Sequence, residues 1–318
     1  MKRIIPLIVS MLLLLTSCSI VGIPGIDNST ESMRDDHMDN KQKDYSAIIL
    51  SGVESGVFKD SFILPEYESK EEIIDDTHKS TFGLGVREID AYKSKIIYTN
   101  RAIIDEYRSE NEKFLYQIDR TSNSFSIQAK DNSVLQEYSF EELTGATLLE
   151  QIKNYIKYYL PDENFENYNT FCNTRIIVNN PDSAWGENKD FFYQANKGAN
   201  ETVLYYEYEF RIFNQNLRTP DSITIRCDGD GNITSMRYNN YGINWDSVFV
   251  DLNSIHQKAK AFVSSAISEE YSLISCSIES ESFDYVDSRI RVMVVCELTL
   301  TRDGSDNIEV LCPVLITP

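Results

Sequence analysis

Residues 289–301, Arg-Ile-Arg-Val-Met-Val-Val-Cys-Glu-Leu-Thr-Leu-Thr, carry Ile290, Val292, Val294, Cys296, Leu298 and Leu300 at every second position. A period of two sends these side chains to one face of an extended chain, the mark of a half-buried strand. Tyr205 to Phe213 (YYEYEFRIF) repeats the pattern, with Tyr206, Tyr208, Phe210 and Ile212 on one face and Glu207, Glu209 and Arg211 on the other. Shorter strands are expected at Lys95–Thr99, Ala102–Tyr107, Phe114–Asp119, Ser124–Ala129, Thr174–Val178, Ser222–Cys227, Ile233–Tyr238 and Ile308–Leu315.

Two segments switch to a helical period. Leu148, Leu149, Ile152, Ile156, Tyr159 and Leu160 form one stripe that stops at Pro161. Leu252, Ile255, Ala259, Phe262, Val263 and Ala266 form another, with Asp251 placed as N-cap. Each helix precedes strands, without regular strand–helix–strand alternation. The expected fold class is therefore α+β, antiparallel sheets each packed by a helix, in two or three tandem units. Asp119–Asn123, Asp228–Asn232 and Asp303–Asn307 share the form D-x-x-x-N and suit tight hairpins, because Asp, Gly and Asn tolerate left-handed backbone. The expected division is a signal at 1–17, a tether at 18–45, a β-rich domain at 46–140, and α+β domains at 141–246 and 247–318. The order of elements over residues 144–316, with a D-G turn before a closing strand, resembles the helix-on-sheet units of PepSY-like domains in extracellular lipoproteins. That resemblance implies an interaction or inhibitor-like module and brings no catalytic motif.

The 318 residues are 42% hydrophobic and 25% charged, enough apolar matter for real cores. Fifty acids against 30 bases give a formal charge of −20. A nucleic-acid partner is excluded on this balance, since phosphate binding rests on an excess of Lys and Arg.

The N-terminus reads as an address. Met1-Lys2-Arg3 precedes an apolar run from Ile4 to Leu15, too short for the ~20 residues of a membrane span but of signal-peptide length. Leu15-Thr16-Ser17-Cys18 follows and resembles the lipobox of bacterial lipoproteins. The resemblance implies cleavage after Ser17, a diacylglycerol thioether on Cys18, and a lipid anchor on the extracytoplasmic face of the membrane of a Gram-positive-type bacterium. Ordinary secretion with an incidental cysteine is the alternative. Residues 19–45 lack an apolar stripe and read as a coil with a reach of about 30 Å.

Catalytic signatures are scarce. The three histidines, His37, His78 and His256, have no paired spacing for zinc, and no G-x-S-x-G elbow exists. Asp228, Asp230 and Asn232 imitate the start of a calcium loop. However, Ile233 stands where glycine is required and Asn239 where a bidentate Glu belongs. No metal or other cofactor is therefore expected. Cys172, Cys227, Cys276, Cys296 and Cys312 are odd in number. Their apolar neighbours favour core thiols over a Cys296–Cys312 bridge across the last hairpin.

The remaining lead is aromatic. Trp185, Phe191, Phe192 and Tyr193 cluster in an expected loop, and Tyr241 and Trp245 follow a strand. Such rings anchor a ligand or seal a sheet. The expected function is a non-enzymatic interaction or ligand-binding module with a protein or glycan partner. The alternative is an enzyme of cell-wall or glycan substrates using a carboxylate pair.

Overall fold

A computed structural model describes residues 46–53, 56–64, 69–74, 78–99, 102–131, 133–136, 145–178, 201–286, 288–302 and 306–318, without side chains for 145–147, 173–178 and 201–204. The described residues hold fourteen strands and two α-helices. In chain order these are β1 (Ala47–Ile49), β2 (Lys70–Ile73), β3 (Lys79–Leu84), β4 (Arg87–Tyr98), β5 (Ile103–Arg108), β6 (Phe114–Asp119) and β7 (Phe125–Ala129). There follow α1 (Gly145–Tyr159), β8 (Asn169–Val178), β9 (Glu201–Asn214), β10 (Leu217–Asp228), β11 (Ile233–Asn239) and α2 (Leu252–Ala266). The last three are β12 (Ser272–Val286), β13 (Arg289–Thr301) and β14 (Ile308–Ile316).

The expected architecture of helix-packed antiparallel sheets in two or three tandem α+β units is overturned. All fourteen strands are linked by ladders into one large mixed sheet. A hairpin turn says that two successive strands are neighbours, but it does not say where a sheet ends. β7, expected to close the first unit, pairs along its other edge with β11, Met236 opposite Ile127 and Arg237 opposite Ser126. Strands before and after α1 thus share one sheet. A parallel bridge of Arg218 to Ser282, between β10 and β12, makes it mixed. β1, β2, β3 and β12 are absent from the sequence expectation, and for three of them the reason is identifiable. β1 and β2 are three and four residues long, and β12 is interrupted by register shifts at Leu273/Ser275 and Ile278/Ser280 that break the period of two.

The chain forms two compact units. The first contains, of the described residues, Ser69–Ile212 and Asp221–Ile243. Its strands pair in the order β8–β9–β10–β11–β7–β6–β5–β4, with β3 and β2 sharing the far edge of β4. Helix α1 lays Leu148, Ile152, Tyr155, Ile156 and Tyr159 against one sheet face, where they meet Phe82, Leu84, Ile118, Ile127, Phe210 and Ile225. Each fully buried side chain of this size is worth about 1.5–3 kcal/mol, so the apolar stripe, rather than helix propensity, holds α1 in place.

Much of the tyrosine surplus is spent here: Tyr107, Tyr116, Tyr155, Tyr159, Tyr206, Tyr208 and Tyr238 are all buried in this core. A buried phenol needs a polar partner, and Tyr208 finds the Cys172 thiol directly across the β8–β9 pair.

The second unit contains residues 46–64, Phe213–Pro220 and Asn244–Pro318. Its strands run β1–β14–β13–β12, antiparallel throughout. Helix α2 buries Ile255, Ala259, Val263 and Ala266 over them, and its N-cap is the one expected: Asp251 accepts from the Asn253 and Ser254 amides at 3.1 and 3.3 Å. The two-residue tip of the β9–β10 hairpin, Gln215 and Asn216, has positive φ at both positions, as a turn matching strand twist requires. The Gln215 amide brackets Val250, donating to its carbonyl at 3.1 Å and accepting from its N–H at 2.9 Å.

Candidate functional site

The residues singled out in the sequence are placed apart. Cys18, the tether, His37, Trp185, Phe191, Phe192 and Tyr193 lie outside the described residues. Tyr241 belongs to the first unit, half-buried, with its amide bonded to Asp221 Oδ1 at 3.0 Å. Trp245 belongs to the second unit, is 4% exposed, and its ring lies 5.3 Å from that of Phe283. A ring packed in this way holds its own segment; the binding-anchor expectation for Trp245 gives way to its core alternative.

The calcium-like loop is a turn in which Asp228 Oδ1 accepts from the amides of Asp230 and Asn232, both at 2.9 Å, and Oδ2 from the Asn232 side chain at 3.1 Å. His256 Nε2 lies 3.3 Å from Glu281 Oε1, without hydrogen-bond alignment.

Opposite α1, the sheet of the first unit presents a polar face. Alternation puts most apolar residues of β4 to β11 on the helix side and most of their polar neighbours outward. The ladder registers then align Lys95, Glu106, Gln117, Ser126, Arg237 and Thr224 in one row across six strands. At about 4.8 Å per strand the row is roughly 24 Å wide.

Its first members are locked together. Ser94 Oγ donates to Glu106 Oε1 at 3.0 Å, Gln117 Nε2 to Glu106 Oε2 at 3.1 Å, and Ser126 Oγ to Gln117 Oε1 at 3.3 Å. Lys95 Nζ sits 2.8 Å from Glu71 Oε1 and 3.8 Å from Glu106 Oε2. Glu106 is 4% exposed, and this set of donors is what allows a carboxylate to be buried there. Gln117, Ser126, Thr224 and Arg237 remain partly exposed.

A second row runs beside it: Tyr92, Arg108, Leu115, Gln128, Ser235 and Arg226. Here Arg226 Nη2 is 2.7 Å from Glu207 Oε2, and its guanidinium lies 4.4 Å from the Tyr205 ring centre. Lys79 Nζ covers the Tyr92 ring at 5.8 Å. Two aromatic rings of this face, Tyr92 and Tyr205, are thus already stacked on cations. Sequence reasoning missed these residues because it looked for clusters along the chain. The outward half of the same period-two strands was the available signal.

A second polar constellation joins the connection after α1 to β11. Glu163 Oε2 accepts from the Tyr168 hydroxyl at 2.8 Å and Oε1 from the Tyr238 hydroxyl at 3.0 Å, and Asn240 Nδ2 donates to the Tyr238 oxygen at 2.6 Å. Burial, followed by the charge of Glu163, pushes both phenols above the usual tyrosine range. Both carboxylate oxygens are occupied within the fold, so this group acts as a tie between elements.

No family model matches this chain, and neither a curated protein nor a solved structure does.

Proposed function

We propose that this chain is an extracytoplasmic lipoprotein, anchored through Cys18, whose body is a non-enzymatic binding module. Its contact surface is the polar face of the first unit. The anchor rests on the residues of the lipobox and the preceding apolar run. The binding role rests on one observation: the Lys95–Glu106–Gln117–Ser126 part of the row is fixed by its own hydrogen bonds and ion pairs, while Gln117, Ser126, Arg237 and Thr224 stay partly exposed. Side chains ordered before contact lose little entropy on binding.

The occupant favoured is a protein. The face is wide, carries both signs of charge, and two of its rings, Tyr92 and Tyr205, are already covered by Lys79 and Arg226 and so are not presented to a sugar. A protein surface of mixed polarity matches such a face in register and charge.

The test is photo-crosslinking in intact membranes from a benzoyl-phenylalanine placed at Gln128, which is exposed on this face, with Glu150 on α1 as the control position. A discrete protein adduct from position 128 and none from 150 supports the reading. No adduct at 128, or only a glycan adduct, overturns the partner. Separately, radiolabelled fatty acid that remains on the chain after Cys18→Ala overturns the anchor.

A further inference from the structure

The second unit brings together three thiols that lie far apart in sequence. Cys312 on β14 stands directly opposite Cys296 on β13, and Ile278 on β12 stands opposite Cys296 from the other side. Cys276, two residues before Ile278, therefore points to the same face, diagonal to Cys296. On this shared face Cys296 therefore has Cys312 directly across on one side and Cys276 diagonally across on the other. Lys260 of α2 faces Cys276 and Cys296.

The three differ in access: Cys296 and Cys312 are fully buried, whereas Cys276 is partly exposed at the β12 side of the group. All five described cysteines are unbridged.

We propose that Cys276, Cys296 and Cys312 form a thiol relay in which a peroxide oxidises Cys276 and the resulting disulfide comes to rest between Cys296 and Cys312. The proposal concerns the second unit alone and stands independently of the binding face.

The order follows from access and geometry. A peroxide reaches the partly exposed sulfur first. Cys276 attacks one peroxide oxygen, the O–O bond breaks, and Cys276 becomes a sulfenic acid while one water is released. Cys296, its diagonal neighbour on the same face, attacks that sulfur; an S–S bond forms and the hydroxyl leaves as a second water. Cys312 then attacks the Cys296 sulfur, and Cys276 departs as the thiol, taking the proton that Cys312 gave up. In net, two thiols and one hydrogen peroxide become one disulfide and two waters.

The last exchange is favoured by strand geometry. Directly opposed residues of an antiparallel pair have Cα atoms about 4.5–5.5 Å apart, inside the range a disulfide spans, whereas diagonal residues stand about 7–8 Å apart and strain the bond. A strained bond is the more easily exchanged one.

The experiment treats the full chain with hydrogen peroxide, quenches at intervals with an alkylating agent in denaturant, and maps linked peptides by mass spectrometry. The expected course is loss of two thiols per chain, with a Cys276–Cys296 link appearing first and a Cys296–Cys312 link replacing it. Cys276→Ser should slow formation of the Cys296–Cys312 link at least tenfold, and Cys312→Ala should leave the Cys276–Cys296 link as the end product. The time course of the unaltered chain decides the matter even where a variant folds poorly. A Cys296–Cys312 link that forms at an unchanged rate in Cys276→Ser overturns the relay. So does Cys276 running on to the sulfinic acid while Cys296 and Cys312 stay reduced, or the absence of any link among the three.

Discussion

Gly85 joins β3 to β4 in a left-handed conformation, φ +59°, packed on the C-terminal end of α1. A Cβ added there would fall inside van der Waals contact of the Tyr159 carbonyl oxygen, 2.9 Å from the Tyr159 carbonyl carbon and 3.1 Å from Leu160 Cδ2. Two of the obstacles are backbone, so no rotamer relieves them. The same close approach satisfies the end of the helix. Val86 N–H donates to Tyr159 O at 2.9 Å, Arg87 Nε donates to Tyr158 O at 2.8 Å, and the guanidinium stacks 3.6 Å from the Tyr158 ring centre.

Gly85→Ala must therefore strain the backbone, at about 1–2 kcal/mol, and also push the hairpin off the helix. The second effect forfeits an amide hydrogen bond worth about 1 kcal/mol and a solvent-exposed Arg contact worth about another 1. With imperfect repacking of the Tyr159 region, the expected loss is about 3–5 kcal/mol. Gly242→Ala is the matched control in the same unit: its φ is +68°, and the nearest atom to a new Cβ is Asn123 Nδ2 at 3.7 Å, an ordinary contact. It should lose only the backbone share. Urea unfolding followed by far-ultraviolet circular dichroism should separate the two variants by roughly 1 M in midpoint. Equal losses, within about 0.5 kcal/mol, would refute the docking of this hairpin on the helix.

The buried Trp245 gives a second expectation. Trp245→Ala should cost about 3–5 kcal/mol and lower the melting temperature by several degrees, whereas an unchanged melt would return this ring to the role of ligand anchor. A third concerns alkaline pH. Burial pushes Tyr107 up to about 12. In the unfolded chain the phenol ionises near pH 10, so its contribution is complete below about pH 10 and is lost as pH rises through about 12. The shift corresponds to about 2–3 kcal/mol from this residue, with Tyr168, Tyr208 and Tyr238 displaced in the same direction. Urea midpoints at pH 9 and 11, read alongside phenolate absorbance, check it. Full phenolate signal near pH 10 with the fold intact would contradict the burial argument.

Local order was largely legible in the chain. The stripe from Leu148 to Tyr159 became α1, the stripe from Ile255 to Ala266 became α2, and Asp251 caps the latter. The period-two runs at 205–213 and 289–301 became β9 and β13. These patterns are local because a helix turn or a strand face repeats within a few residues. β12 escaped because its bulges shift the phase of alternation, and its serines carry little hydrophobic signal.

The candidate site was hardly legible at all. Glu106, Gln117, Ser126 and Arg237 sit on β5, β6, β7 and β11, and nothing in their separate neighbourhoods tells one polar outward position from another. Their alignment depends on register, which long-range pairing sets. The same holds for Cys276, Cys296 and Cys312. Alternation placed each on an apolar face, but three strands had to come together before the thiols became neighbours across the ladders.

By itself, then, the sequence determined the helices, most strands, and the turns at Asp119 and Asp228. Each of these is fixed by interactions spanning a few residues. Only the tertiary structure decided that β7 pairs with β11, so that strands on both sides of α1 make one sheet in place of tandem α+β units. It also decided which of two faces α1 covers, and hence which polar residues are left together on the other. Pairing partners are chosen by closure of long loops and by the fit of whole faces, and no stretch of chain shorter than those loops contains that information.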